Sequence, residues 1–356
     1  MKARTILIPG LAVAGAGVLC AGAAAAASVA AVGACTLGRR GRSLQGKVVV
    51  IGGGSRGLGL ALAEEFGRRG ASLALAARHA DNLQGARIHL ARRGVVASAD
   101  DVLAVAADLT QAEEAEQVIR QATERFGRVD ILVNNAGMIT VGPAENQRLD
   151  DFREVMEANF FSAVNATLAA LPQMLERRDG VIVNVASIGG KVAVPHLLPY
   201  TASKFALVGF SEGLYAELRT RGIHVLTVCP GLMRTGSHLG ARFSGDAERE
   251  YQWFSLAANL PGVSTSAAHA ARRIVRAVTS RRTEIAITPQ AFAAARLSAV
   301  APELTLRALA AVNRLLPPAA ENGGEKPRRG AEARGREWKA AAAMGGRAAR
   351  RYNQSA

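Results

Sequence analysis

Residues 47–66, KVVVIGGGSRGLGLALAEEF, pass from a short β-branched run through a cluster of glycines into a stretch with Leu58, Leu62, Ala63 and Phe66 at helical spacing. A strand that feeds a helix through a glycine turn is the opening unit of a parallel sheet with crossover helices. The alternation then continues along the chain. Strand-like runs at 47–51, 72–77, 102–107, 129–134, 181–186, 224–229 and 284–288 are separated by helical patterns such as QAEEAEQVIRQATERF over 111–126. This pattern predicts an α/β fold with a doubly wound parallel sheet, forming one domain over 45–290.

The glycine turn points to a nucleotide. Gly53, Gly57 and Gly59 follow a G-x-x-x-G-x-G spacing. Such glycines permit positive φ and close backbone approach, and the following helix N-terminus favours a pyrophosphate. The second strand narrows the choice. An NAD-selective site places a carboxylate at its end to accept a ribose 2′-hydroxyl. Here Ala77 stands there, followed by Arg78, and Arg56 lies inside the glycine turn. Two guanidiniums and no acid favour a 2′-phosphate, hence NADP(H).

A second constellation lies further on, in SIGGKVAVPHLLPYTASK. The buried-strand pattern GVIVNVAS ends at Ser187, where open α/β sheets place their ligands. A helix beginning near Tyr200 puts Tyr200 and Lys204 at i and i+4 on one face. A free phenol titrates near pH 10, and an ammonium about 4 Å away favours phenolate by roughly 4 kcal/mol. Ser187 then holds a substrate oxygen while Tyr200 exchanges a proton with it.

Taken together these motifs resemble the short-chain dehydrogenase/reductase family over roughly residues 45–290, which implies a Rossmann-like catalytic domain. GGGSRGLG (52–59) resembles the family's TGxxxGxG turn, and Asp108 in AADLT its adenine-contacting acid. NNAG (134–137) resembles the motif that steadies the central sheet beside the cofactor, and PGLMRT (230–235) the segment after the sixth strand. Asn159 in MEANFFS completes a catalytic set with Ser187, Tyr200 and Lys204. The resemblance implies hydride transfer between NADP(H) and a carbonyl or secondary alcohol. Tyr200 acts as the acid, Lys204 lowers its pKa and binds the ribose, and Asn159 supports a water-mediated proton relay. Implied cofactor contacts come from Gly53, Ser55, Arg56, Gly57, Leu58, Gly59, Arg78, Asp108, Leu109, Asn135, Ala136, Gly137, Tyr200, Lys204, Pro230, Gly231 and Thr235. The chain departs from the pattern at Gly52, where Thr is usual, at Ala186, where Ser is common, and in an insertion at 95–101. A non-catalytic NADP-binding scaffold is the competing reading, disfavoured by the complete catalytic set.

The flanks differ from this core. Residues 5–38 carry no charge, long enough for a membrane-spanning helix, with Lys2 and Arg4 before and Arg39, Arg40 and Arg42 after. A retained single-pass anchor over 1–44, with a cytoplasmic catalytic domain, competes with a cleaved signal peptide. The formal net charge is +15. Residues 1–44 and 317–356 contribute +5 each (five basic; nine basic against four acidic), leaving +5 for the core. The excess at the ends argues for membrane rather than nucleic-acid partners. The 317–356 tail is expected to be disordered. Residues 291–316 read as apolar helices broken near Pro302, a packing element, a subunit interface or a membrane-lying lip. Phe243, Tyr251, Trp253 and Phe254 in the 236–262 loop suit a lipophilic substrate or simple lid packing. The three cysteines form neither a disulfide framework nor a metal spacing. No metal is needed for this chemistry, and a homodimer or homotetramer is expected from the resemblance.

Overall fold

The computed structural model describes residues 42–260, 262–321, 327–333 and 339–354. Seven strands form one fully parallel sheet: β1 (Val48–Gly52), β2 (Ser72–Ala77), β3 (Leu103–Ala106), β4 (Ile131–Asn134), β6 (Gly180–Val185), β7 (Ile223–Cys229) and β11 (Glu284–Ala286). Their order is β11-β7-β6-β4-β1-β2-β3. The order reverses between β1 and β4, which makes the carboxyl ends of those two strands the switch point where ligands bind. Shorter strands stand outside this sheet: β5 (Thr140–Val141), β8 (Met233–Arg234), β9 (Arg242–Phe243), β10 (Thr265–Ser266) and β12 (Arg328–Arg329).

Parallel strands covered on both faces must be apolar on both, and β1 shows why. Val49 and Ile51 belong to a core shared with α1 (Gly57–Gly67), α2 (Ala80–Arg92) and α9 (Ala267–Thr279). Val50, one residue out of phase, faces the opposite core with α3 (Ala112–Phe126) and α5 (Ser162–Arg177). The remaining helices are α4 (Leu149–Met156), α6 (Leu198–Leu218), α7 (Ser237–Gly240), α8 (Ala247–Asn259), α10 (Pro289–Val300), α11 (Pro302–Asn313) and α12 (Lys339–Arg351). All seven strand-like runs of the sequence become strands of the main sheet, with ends shifted by at most two residues.

A buried polar chain ties the sheet together near the switch point. Asn134 Nδ2 donates to Asn184 Oδ1 at 2.8 Å and to Thr167 Oγ1 at 3.0 Å. Asn184 Nδ2 donates to Ser211 Oγ at 3.0 Å, which also accepts from Thr227 Oγ1 at 2.7 Å. Satisfied networks of this kind fix a unique packing of β4, β6, β7 and the two helices beside them. At the opposite end, Asp130 holds the start of β1: its carboxylate accepts the Val48 N–H at 2.9 Å and pairs with Lys47 and Arg128 at 3.0 Å each.

Two flanking expectations meet the structure differently. Residues 328–329 and 339–351 of the tail expected to be disordered form β12 and α12, packed on the domain. β12 pairs antiparallel with β9, and Ala333 is buried in an apolar cluster. The uncharged run 5–38, on which the anchor expectation rests, lies outside the described residues. Among those residues, no helix is long and apolar enough to cross a membrane.

Candidate active site

Ser187 follows β6 and caps the 3-10 turn Ile188–Gly190, its Oγ accepting the Gly189 N–H at 3.0 Å. α6 starts at Leu198, so Tyr200 sits in its first turn and Lys204 one turn later. The Ser187 hydroxyl lies close enough to the Tyr200 phenol to oppose the rise in its pKa. A Cβ on Gly189 would lie 3.3 Å from Tyr200 Cε1 and 3.5 Å from Ser187 Oγ, so that glycine stands beside both members of the pair. Lys204 Nζ is 5.7 Å from the Tyr200 ring centroid and donates to the Val185 carbonyl at 3.0 Å.

Asn159 is fully buried in a π-helical turn (Glu157–Phe161) between α4 and α5, a distortion often found at functional sites. Its Oδ1 accepts the Met138 N–H at 2.7 Å; its Nδ2 donates to Met138 O at 3.1 Å and Ser203 Oγ at 2.8 Å. The carboxamide therefore ties the loop after β4 to α6. A Cβ on Gly137 would meet Asn159 Oδ1 at 2.6 Å and Lys204 Nζ at 3.7 Å, so the asparagine, the lysine and this loop converge. Ser203 as the partner of Asn159 is not legible from motifs, since its hydroxyl also bonds its own helix at Tyr200 O.

Burial sets the protonation states. It raises the Tyr200 pKa above 10.0, the Ser187 hydroxyl opposing. Burial also lowers the Lys204 ammonium from 10.5 to about 8. The expected downward pull of Lys204 on Tyr200 is therefore not the direction found. The phenolate loses more from desolvation than it gains, and Nζ is directed at the Val185 carbonyl. Cys229, at the end of β7, is pushed up to about 12, first by burial and then by Glu284.

The glycine turn is built for close approach. Gly53 and Gly57 adopt φ of +69° and +58°, conformations that L side chains rarely hold. Asn135 Nδ2 braces the turn through Gly53 O at 3.1 Å, and a Cβ on Gly53 would come within 2.9 Å of Ala136 Cα. At Gly52, where threonine is usual, a Cβ would sit 2.8 Å from Leu109 Cδ1, the movable end of a side chain, and nothing in the structure explains the departure. The backbone N–H groups of Leu58 and Gly59 have no partner among the described residues, while that of Gly57 donates to Tyr352 O at 2.8 Å. Open N–H groups at a helix N-terminus fit a phosphate.

Beyond the turn, β2 ends at Ala77, and Arg56 and Arg78 are both exposed. Although its residue is exposed to solvent, partial desolvation by the surrounding chain, then Arg78 and then Arg329 of β12, lower the Arg56 pKa. Two further guanidiniums thus act on Arg56 at the turn, one of them supplied by the tail. Asp108 spends one carboxylate oxygen on its own loop, accepting from Thr110 N at 3.1 Å and Thr110 Oγ1 at 3.0 Å. Pro230 O accepts the Ile188 N–H at 2.8 Å, Gly231 packs against Thr288, and buried Thr235 accepts the Ser237 N–H at 3.2 Å.

The aromatic residues of 236–262 pack largely on themselves. Tyr251, Phe243 and Phe254 are buried in a cluster with Val141 and Leu197, against which the Tyr200 ring rests. His196 and Glu250 form a buried pair at 2.8 Å beneath Trp253, whose Nε1 donates to Glu250 at 2.7 Å. Lid packing therefore accounts for most of these rings. A cleft of about 750 Å³ opens elsewhere, at the amino-terminal edge of the sheet around Arg42, Arg178, Arg219 and Arg281. None of the candidate catalytic residues lines it, so cavity size is no guide to the chemistry here.

The family pattern described as short chain dehydrogenase matches residues 47–242. The chain belongs to the short-chain dehydrogenase/reductase family. It is 34% identical over 269 residues to an 11-beta-hydroxysteroid dehydrogenase-like 4A of Arabidopsis thaliana, covering 75% of this chain and 85% of the relative. It is 37% identical over 203 residues to a dehydrogenase/reductase SDR family protein 7-like of Anopheles gambiae, covering 57% of this chain but 64% of that protein. With the human dehydrogenase/reductase SDR family member 7 the match spans 54% of the relative's length. Among solved structures, a short-chain dehydrogenase from Streptomyces avermitilis aligns with a TM-score of 0.63 at 33% identity, over 73% of this chain and 95% of that one. A short chain dehydrogenase/reductase from Burkholderia phymatum, in complex with NAD, aligns with a TM-score of 0.65 at 27% identity, over 74% and 96% of the two chains.

Proposed function

We propose that this protein is an NADP(H)-dependent oxidoreductase that interconverts a carbonyl group and a secondary alcohol on an apolar small molecule. The observation that carries the proposal is the placement of Tyr200 and Ser187 side by side at Gly189, with Lys204 Nζ 5.7 Å from the phenol ring. When bound, the nicotinamide supplies or takes up the hydride at the carbon bearing the reacting oxygen. Ser187 holds that oxygen and Tyr200 exchanges a proton with it. Burial keeps the phenol protonated, which is the form needed to donate in the reductive direction. Lys204, a cation below about pH 8, then favours the phenolate left behind. Asn159 holds the loop at Gly137 against α6, which keeps the proton path to Lys204 in register.

Arg56 and Arg78 beside Ala77 support a 2′-phosphate and hence NADP(H). The name of the hydroxysteroid dehydrogenase-like relative supports a lipophilic substrate. We assign residues 45–290 to the catalytic domain and 1–44 to a membrane anchor, with catalysis on the cytoplasmic side. Val300, Leu304 and Leu306 of α10 and α11 are 84%, 61% and 58% exposed, which supports a lip resting on that membrane. Phe161, Leu168 and Phe205, exposed on and beside α5 and α6, support a homodimer or homotetramer through those helices.

The test is Tyr200→Phe. General-acid loss should cut turnover by about 10²–10⁴-fold, while the NADPH dissociation constant stays within a few-fold. NADPH oxidation would be followed with ketosteroids, retinal, 3-oxoacyl thioesters and small quinones. Retained turnover in the variant would refute the assigned acid.

A further inference from the structure

The C-terminal residues reach the glycine turn. Tyr352 is 3% exposed, buried in the core shared by α1, α2 and α9, and its carbonyl accepts the Gly57 N–H at 2.8 Å. Asn353, at φ +55°, donates through Nδ2 to Ser55 O at 3.2 Å and to Asn82 O at 3.0 Å, stapling the turn to α2. Gln354 comes next. A Cβ on Gly57 would run into Gln354 Nε2, with Thr235 Cβ 3.9 Å from the same point. The Gln354 carboxamide therefore stands between the two segments, 53–59 and 230–235, that flank a dinucleotide's phosphates under the function proposed above.

From this placement we propose that residues 345–354 form a wall of the dinucleotide site, with Tyr352 and Asn353 fixing the glycine turn and Gln354 donating to the phosphates. The proposal rests on the reading that a dinucleotide binds at this turn. A competing strap would have to consume the donors that hold phosphate, and this one occupies one of the three at the start of α1 and leaves two open. Tyr352 takes only the Gly57 N–H; those of Leu58 and Gly59 have no partner among the described residues. The same tail brings Arg329 into the electrostatic neighbourhood of Arg56, adding positive charge where the ligand is anionic. Ordering a glycine-rich turn in advance removes a cost that binding would otherwise carry.

Two measurements test this. Titration calorimetry would compare NADP⁺ binding to the wild type, to Asn353→Ala with Gln354→Ala, and to a chain ending at residue 344. The thermal midpoint of each is measured alongside, so that a folding defect is separated from a binding one. Loss of hydrogen bonds to a charged ligand and to the turn should raise the dissociation constant about tenfold or more. Amide exchange across 345–354 should slow when NADP⁺ is added. Equal affinity in the folded double variant overturns the proposal, and so does tighter binding with faster exchange in the tail, the behaviour of a displaced competitor. If the wild type binds neither NADP⁺ nor NAD⁺, the dinucleotide reading itself fails.

Discussion

Lys204 should destabilise the fold that holds it, and the size of the effect can be worked out. Its pKa falls from 10.5 to about 8 because the ammonium is buried, with 5% of the residue exposed. A fall from 10.5 to about 8 corresponds to roughly 3 kcal/mol. A folded-state pKa below the unfolded one means that the unfolded chain holds the proton more tightly. The penalty is therefore complete below pH 8 and disappears as pH rises from about 8 to 10.5. Lys204→Met removes the charge and keeps the volume, at the cost of the 3.0 Å bond to Val185 O, a loss of about 1 kcal/mol. The net expectation at pH 7 is a gain of about 2 kcal/mol, or roughly 4–8 °C in the midpoint for a domain of this size. The variant should also lose turnover. Thermal melts of both chains without cofactor, at intervals from pH 7 to 10.5, measure this directly. The gap should be widest at pH 7 and should close as the wild type gains stability with rising pH. A gap that is absent at pH 7, or that grows with pH, would refute the claim that Lys204 is held as an ion at the expense of stability.

Other consequences are simpler to state. Arg78→Asp should move cofactor preference towards NADH, read as the ratio of kcat/KM for the two cofactors; an unchanged ratio would count against recognition of a 2′-phosphate. Asp130→Asn should cost about 2–3 kcal/mol at pH 7. Burial raises the Asp130 pKa, but the Val48 N–H, Lys47 and Arg128 outweigh it and leave the carboxyl below 3.8. Stability from that carboxylate is present above pH 4 and lost as pH falls through the lowered value, so acid titration should bring variant and wild type together. Cys229, held up at about 12, should resist alkylation at pH 8 by about 10³-fold relative to a free thiol, which peptide mapping of the native chain can check.

How far the fold could be read in advance depended on the range of the interactions. The parallel sheet was legible because runs such as VVVIG and GVIVNV must be apolar on both faces, a demand written into consecutive residues. Ser187, Tyr200 and Lys204 were legible because a strand end and one helical turn fix their mutual placement. Their protonation was not, since it depends on the desolvation of Tyr200 and Lys204 and on the direction of Nζ towards Val185, neither of which spacing encodes. The tail lies at the far limit of legibility. Its proline, glycine and charge content describes a segment with too little apolar surface to fold alone. That inference holds for an isolated segment, but α12 and Tyr352 bury their apolar surface in cores made by α1, α2 and α9 and beside α8, almost 300 residues away in the chain from the glycine turn. A composition rule weighs what a segment can bury by itself. The structure offers it a surface already built, and Tyr352, close to the end, is the anchor that uses it.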